Sequence, residues 1–231
     1  MSVLERAKIA VAQRLPPSLR NPIRRILRTF ISSEEAFGKI YYRNDWGSPE
    51  SVSGLGSELA ATYAVRTELP ILLEELGVRS LLDAPCGDFN WMKDVDLRLD
   101  RYIGADVVPE LIEKAKQFSS DTRTFMVLDI TSTNVSRADA ILCRDCLVHL
   151  PFSRIRAALQ NFKRSNATYL ITTTFPGYPS KNNDIAVGDW RPLDLQKPPF
   201  NFPEPLKVIS ENDVFVAEKS LAVWRLDRID V

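Results

Sequence analysis

Between residues 78 and 174 the chain repeats one pattern. A short, almost wholly apolar run stops at a polar residue, and in two of the gaps between runs a stretch follows whose apolar side chains recur every three or four positions. A short apolar run bounded by turn residues suits a strand buried on both faces, and the three-to-four spacing suits a helix lying against it. The runs are 78–84, 102–106, 124–129, 138–143 and 168–174, and helices are expected at 109–118, with Pro109 in a first turn, and at 152–162. A helix over 58–77, bent at Pro70 and ended by Gly77, precedes the first run, and a short one at 89–93 follows it. The alternation predicts an α/β fold: a Rossmann-like, doubly wound, mostly parallel sheet with helices on both faces.

The chain's 231 residues allow one sizeable domain and an extension. We expect a basic helical N-terminal extension over 1–45 and the α/β domain over 46–231. Lys and Arg together number 30, as do Asp and Glu, so the global charge argues against a nucleic-acid partner. The first 30 residues nonetheless hold Arg6, Lys8, Arg14, Arg20, Arg24, Arg25 and Arg28 against Glu5 alone, and the rest of the chain is acidic by the same margin. Apolar residues between those arginines suit short amphipathic helices broken at Pro16, Pro17 and Pro22. Our preferred reading of this segment is a solvated arm or a cover for a site; the other is a peripheral contact with an anionic membrane or a protein. With neither a membrane-length apolar run nor a signal core, a cytoplasmic location is expected.

Beyond the fifth run the rhythm breaks into a proline- and aromatic-rich insertion, 175–205, before two last strands at 206–210 and 221–226 that suit a closing hairpin or its equivalent. An insertion that long is expected to be functional, and its aromatic content favours packing over disorder. The three cysteines, Cys86, Cys143 and Cys146, form no disulfide framework. Cys143 and Cys146 have redox or half-zinc spacing, but His149 is the sole histidine and no metal site is expected.

In an open α/β sheet, ligands sit outside the carboxyl ends of the strands where the strand order reverses. Four ends carry suitable groups: Asp83 with Gly87, Asp106, Asp129 with Ile130, and Cys143, Arg144 and Asp145. Gly87 permits close approach of backbone to a ligand, and Asp106 stands about twenty residues further on, where a carboxylate accepts from ribose hydroxyls. A dinucleotide would ask for more glycines than this turn has. Asp88 also places negative charge where a pyrophosphate needs the opposite, whereas a sulfonium cofactor tolerates it.

Asp83-Ala84-Pro85-Cys86-Gly87 resembles the first motif of class I S-adenosylmethionine-dependent methyltransferases, Tyr102 to Asp106 their acidic second motif, and Leu128-Asp129-Ile130 their third. The stretch from Leu142 to Leu150, with the helix and strand after it, resembles the fourth and fifth. The resemblance spans about residues 57 to 175. It departs at Pro85 and Phe89, where family members often have glycine. It implies that Asp83, Pro85, Cys86, Gly87 and Asn90 surround the methionine part of S-adenosylmethionine and that Asp106 holds the ribose. It also implies that Asp129 meets the adenine amino group, with Val107 or Ile130 on the ring and Cys143 and Arg144 lining the same site. Arg66 is a candidate for the cofactor carboxylate.

Methyl transfer needs an aligned, dry site and, for a hydroxyl acceptor, a base. His149 is the first candidate and Asp145 the second. Residues 46–57 and 175–202 are expected to cover the site, with Tyr178, Trp190 and Arg191 offering a flat face and a charge to the acceptor. The expected function is methylation, favoured at oxygen, of a small molecule or saccharide; oligomeric state is left open. Two alternatives carry less weight: a non-catalytic cofactor-binding module docked through its basic arm, and an NAD(P)-dependent Rossmann oxidoreductase.

Overall fold

The structure, a computed structural model, describes residues 31–211 and 218–231. The basic arm of residues 1–30 lies outside the described residues. Seven strands form one sheet: β1 (Ser80–Asp83), β2 (Arg101–Asp106), β3 (Arg123–Val127), β4 (Ala140–Cys143), β5 (Tyr169–Thr174), β6 (Lys207–Ser210) and β7 (Ser220–Arg225). Their order is β3-β2-β1-β4-β5-β7-β6. The first five run parallel; β7 inserts antiparallel between β5 and β6. The chain winds outward from β1 to β3, returns, and winds the other way from β4, so β1 and β4 are neighbours and the crevice at their carboxyl ends is the switch point.

The α-helices among the described residues are α1 (Ser33–Arg43), α2 (Tyr63–Glu75), α3 (Pro109–Ala115) and α4 (Phe152–Arg164). One apolar layer packs Leu69, Leu73 and Ile112 against Leu81 and Leu142; the other packs Ile155, Leu159 and Phe162 against Leu82, Ile141 and Leu170. Alternate residues of β1 thus enter opposite layers, as a strand covered on both faces requires. Helix α1 is capped at Ser32, whose hydroxyl accepts from the Glu35 amide. It is tied to the body where Arg154 of α4 donates to Ser33 Oγ at 2.9 Å and to the Ile31 carbonyl, and where the Tyr42 hydroxyl meets Glu110 of α3.

Two helix expectations are corrected. α2 begins at Tyr63, because residues 59–62 form turns and the Thr62 hydroxyl donates back to the Glu58 carbonyl at 2.9 Å. No helix forms at 89–93, because Phe89 adopts φ +61, outside the helical region, and its ring is buried against Tyr102, Phe118 and Phe125. Residues 175–205 hold no helix or strand but are packed. Phe175 and Phe202 make backbone bonds to Leu193 and Leu195, and Leu193, Leu195, Phe200 and Phe202 join the core.

Gly104 on β2 faces the ring of Phe125, which a β-carbon would meet at 2.5 Å. Gly104→Val is therefore expected to overpack this layer at a cost of about 1–3 kcal/mol. Chemical denaturation checks it; an unchanged midpoint would show that the ring yields freely.

Candidate functional site

At the switch point lies a cleft of about 340 Å³. Its floor is built from strand ends. Asp106, at the end of β2, is buried and accepts from the amides of Val108 at 2.9 Å and Gly87 at 3.2 Å. Burial raises its carboxyl to about 6, against the pull of those two bonds. Asp83, ending β1, accepts from the Tyr102 hydroxyl; burial raises it to about 7 although that bond and Arg144 oppose the shift. Asp129 binds its own turn through one oxygen, which accepts from the Thr131 amide at 2.8 Å and hydroxyl at 2.7 Å. Its other oxygen has no hydrogen-bond partner among the described residues. Val107, Leu128 and Ile130 form an apolar wall beside it.

Gly87 is required twice over. Its φ of +57 disfavours a side chain, and a β-carbon there would stand 2.4 Å from Ser53 Oγ. The residues after it act as a clamp on the covering segment. Asp88 Oδ2 accepts from Ser51 Oγ at 2.8 Å and the Val52 amide at 3.0 Å, and Ser53 Oγ accepts from the Asp88 amide at 2.9 Å. Asn90 Nδ2 donates to Glu50 Oε1 at 2.7 Å and the Ser57 carbonyl at 3.2 Å. Residues 52–57 are thereby held along the cleft. Asp88 does not line the cleft, since its carboxylate accepts from residues 51 and 52, but its charge still reaches Asp106 and Cys86.

The β4 end carries a buried charge network. Arg144 donates through Nε and Nη2 to Glu211 at 3.2 and 2.5 Å, and through Nη2 to the Gly56 carbonyl at 2.8 Å. Lys219 lies 2.7 Å from Asp145 Oδ2 and 3.2 Å from Glu211 Oε2. Burial alone would raise the Asp145 carboxyl, but Lys219 and Arg144 outweigh it and hold it at about 2. A carboxylate so acidic is a poor proton acceptor.

His149 is different. Its Nδ1 stands 3.0 Å from the Asp189 carbonyl, which can only accept, so Nδ1 carries the proton and Nε2 offers its lone pair. Nε2 has no hydrogen-bond partner among the described residues. Burial lowers the imidazole pKa below its usual value, with the Asp189 bond and the Asp145 charge opposing. The ring packs against Trp46, with centroids 5.2 Å apart, and Phe37 at 6.5 Å.

Asp83, Pro85, Cys86, Gly87, Asp106, Val107, Asp129, Ile130, Arg144, Asp145, His149 and Trp190 are brought together around the cleft. Five other candidates are placed elsewhere. Arg66 turns back to the Leu59 carbonyl at 2.9 Å, and Asn90 serves the clamp. Cys143 is wholly buried beneath the site, and Tyr178 is exposed away from it. Arg191 is buried and donates to the carbonyls of Leu147 and Leu150 at 2.8 Å each, so it braces the loop and offers no charge to an acceptor. Sequence reasoning missed Ser33, Phe37 and Tyr41, which reach the cleft from α1 at a four-residue spacing that was there to be read, and Lys219 and Glu211, which carried no signal. All three cysteines are free, and no cluster of three or more potential metal ligands occurs among the described residues.

With the parallel sheet, the antiparallel β7 and the strand-end cleft in place, the architecture is that of the class I S-adenosylmethionine-dependent methyltransferases. Solved structures agree. The chain is similar to magnesium protoporphyrin IX methyltransferase from Synechocystis with S-adenosylmethionine bound, at TM-score 0.58 and 14% identity, over 84% of this chain and 97% of that one. It is also similar to human N-acetylserotonin methyltransferase, at TM-score 0.57 and 13% identity over 84% of this chain and 60% of the other. A third likeness is to the N-methyltransferase NodS from Bradyrhizobium japonicum, at TM-score 0.54 and 16% identity over 74% and 98%. No protein-family model and no curated protein matches the chain. No helix among the described residues is long and apolar enough to cross a membrane.

The clamp makes a prediction. Asp88→Ala deletes a carboxylate that accepts from three donors, Ser51 Oγ and the amides of Val52 and Asn90, a loss of about 1–3 kcal/mol, and should speed amide exchange across residues 51–57 by about tenfold or more. Hydrogen exchange read by mass spectrometry checks this; unchanged protection would mean that the segment is held by other contacts.

Proposed function

We propose that the protein is an S-adenosylmethionine-dependent methyltransferase that methylates a hydroxyl of a small molecule or saccharide, with His149 as the general base. The observation that carries this reading is the pairing, in one cleft, of a strand-end floor suited to a nucleoside with an imidazole whose Nε2 is free. The residues fit the cofactor. Asp106 is a buried carboxyl that accepts from backbone amides at the cleft floor, and ribose hydroxyls would complete its hydrogen bonding. The unengaged oxygen of Asp129 suits an adenine amino group, with Val107 and Ile130 to cover the ring.

When bound, S-adenosylmethionine would supply a sulfonium methyl group for transfer to the acceptor oxygen, with the neutral thioether as leaving group. His149 Nε2 receives the hydroxyl proton, while the Asp189 carbonyl fixes the tautomer and the Asp145 charge stabilises the imidazolium that results. The apolar walls exclude water from the reacting atoms. In this reading residues 46–231 form the catalytic domain and residues 1–45 an extension that lends α1 to the cleft. Cysteines that are all free suit a cytoplasmic setting.

Two measurements test the proposal. S-adenosylhomocysteine should bind in calorimetry, and its affinity should fall as pH drops below about 6, where the raised Asp106 carboxyl takes up a proton and ceases to accept. Asp106→Asn should weaken binding at neutral pH and flatten that dependence; failure of the homologue to bind would end the reading. Methylation by the wild type should decline as pH falls through a value below the ordinary histidine pKa, and His149→Ala should lose about 10²–10⁴-fold in turnover. Near-normal turnover in that variant would remove His149 from the chemistry.

A further inference from the structure

The half of the cleft beyond the strand ends is walled by rings. Phe37, Trp46, Phe175 and Trp190 line it, and Phe37 and Trp46 pack against the His149 ring. Trp46 is tilted 38° to the imidazole, and Gly54 holds it there, since a β-carbon on Gly54 would stand 3.0 Å from Trp46 Cβ. Trp190 lines the same cleft, stands nearly perpendicular to the Phe175 ring at 6.2 Å, and is 47% exposed. Two flat indoles, one on the histidine and one at the mouth, suit a flat guest.

Most of the charged and polar groups on this side are already engaged. Asp145 pairs with Lys219 and Arg144, Ser33 Oγ accepts from Arg154, and the Lys114 ammonium lies over the Tyr41 ring at 5.4 Å. Arg191, the charge a sugar or anion would need, is turned into the loop. A ring bearing several hydroxyls would bury most of them without partners, whereas an aromatic ring bearing one hydroxyl would present it to Nε2 and bury the rest on the indoles.

Resting on the methyltransferase reading, we propose that the acceptor is a flat aromatic alcohol methylated at its phenolic oxygen, and that Trp190 is the residue that selects it. The acidity of the hydroxyl points the same way. Burial weakens His149 as a base, which suits a phenol with pKa of about 10 better than the much less acidic hydroxyl of a sugar.

The test uses the full chain loaded with S-adenosylhomocysteine and titrated by calorimetry with 2-naphthol, catechol and methyl α-glucoside. The phenols should bind at least tenfold more tightly than the glucoside. Trp190→Ala should weaken 2-naphthol by fivefold or more and Trp190→Phe should restore most of it, with affinity for the homologue unchanged in both variants. Glucoside binding equal to or tighter than that of the phenols, no binding of either phenol, or indifference of 2-naphthol to Trp190→Ala would overturn the acceptor assignment and leave the methyltransferase reading standing. Failure of the homologue itself to bind would overturn both.

Discussion

Three buried charges and one partly exposed carboxylate hold the cleft in shape. Arg144 and Asp145 leave the end of β4, Lys219 stands at the start of β7, and Glu211 follows β6; their side chains are 4, 26, 5 and 0% exposed. Isolated, each would pay heavily for leaving water; together they cancel and satisfy one another, and breaking such a set by removing one member typically costs about 3–5 kcal/mol. The geometry matters more than the energy. Arg144 also reaches the Gly56 carbonyl, and a β-carbon at Gly56 would meet Asp145 Oδ2 at 2.9 Å, so the network fixes where the covering segment lies over the strand ends. Thr173 on β5 completes it, with its hydroxyl accepting from the Asp145 amide at 2.8 Å.

The same low-polarity surroundings act on four titratable groups with different outcomes, and the neighbours decide which. Asp83 and Asp106 are raised because burial outweighs the hydrogen bonds they receive. Asp145 is lowered because two cations face it. His149 is lowered because a carbonyl and one carboxylate only partly offset burial. A strongly acidic carboxylate and a neutral imidazole thus stand near each other with their roles separated: one stays charged and the other takes protons.

The sheet and its switch point were legible because period and strand-end chemistry are local signals. The apolar runs 102–106 and 138–143 end where β2 and β4 end, at Asp106 and Cys143, and the run 78–84 overshoots the end of β1 at Asp83 by one residue. What failed to read from sequence was set by tertiary contact. Arg191 beside Trp190 looks like a charge offered to a ligand, yet three carbonyls across the loop claim it. Asp88 looks like part of the floor, yet its partners lie about 36 residues upstream. Glu211 and Lys219 flank a segment with no motif, and only the antiparallel insertion of β7 brings them to Arg144. The helix expected at 89–93 was lost to a single positive φ that lets Phe89 bury its ring.

These two kinds of signal divide the cleft. Its nucleoside half is made of backbone turns and short carboxylates at strand ends, positions dictated by the sheet itself, so a sequence that specifies the sheet specifies that half as well. Its other half is assembled from outside the sheet: Phe37 from α1, Trp46 from the segment after it, and Phe175 and Trp190 from the insertion. Those walls are fastened by polar ties at their edges, Arg154 to α1, Asp88 and Asn90 to the covering segment, and Arg191 to the loop. Phe175 belongs to the core, but the two indoles bear little of the fold's load, since Trp190 is half exposed and Trp46 only partly buried. Exchanging a ring therefore alters what the cleft accepts while leaving the floor and its supporting charges in place, which is the arrangement that lets one sheet serve many acceptors.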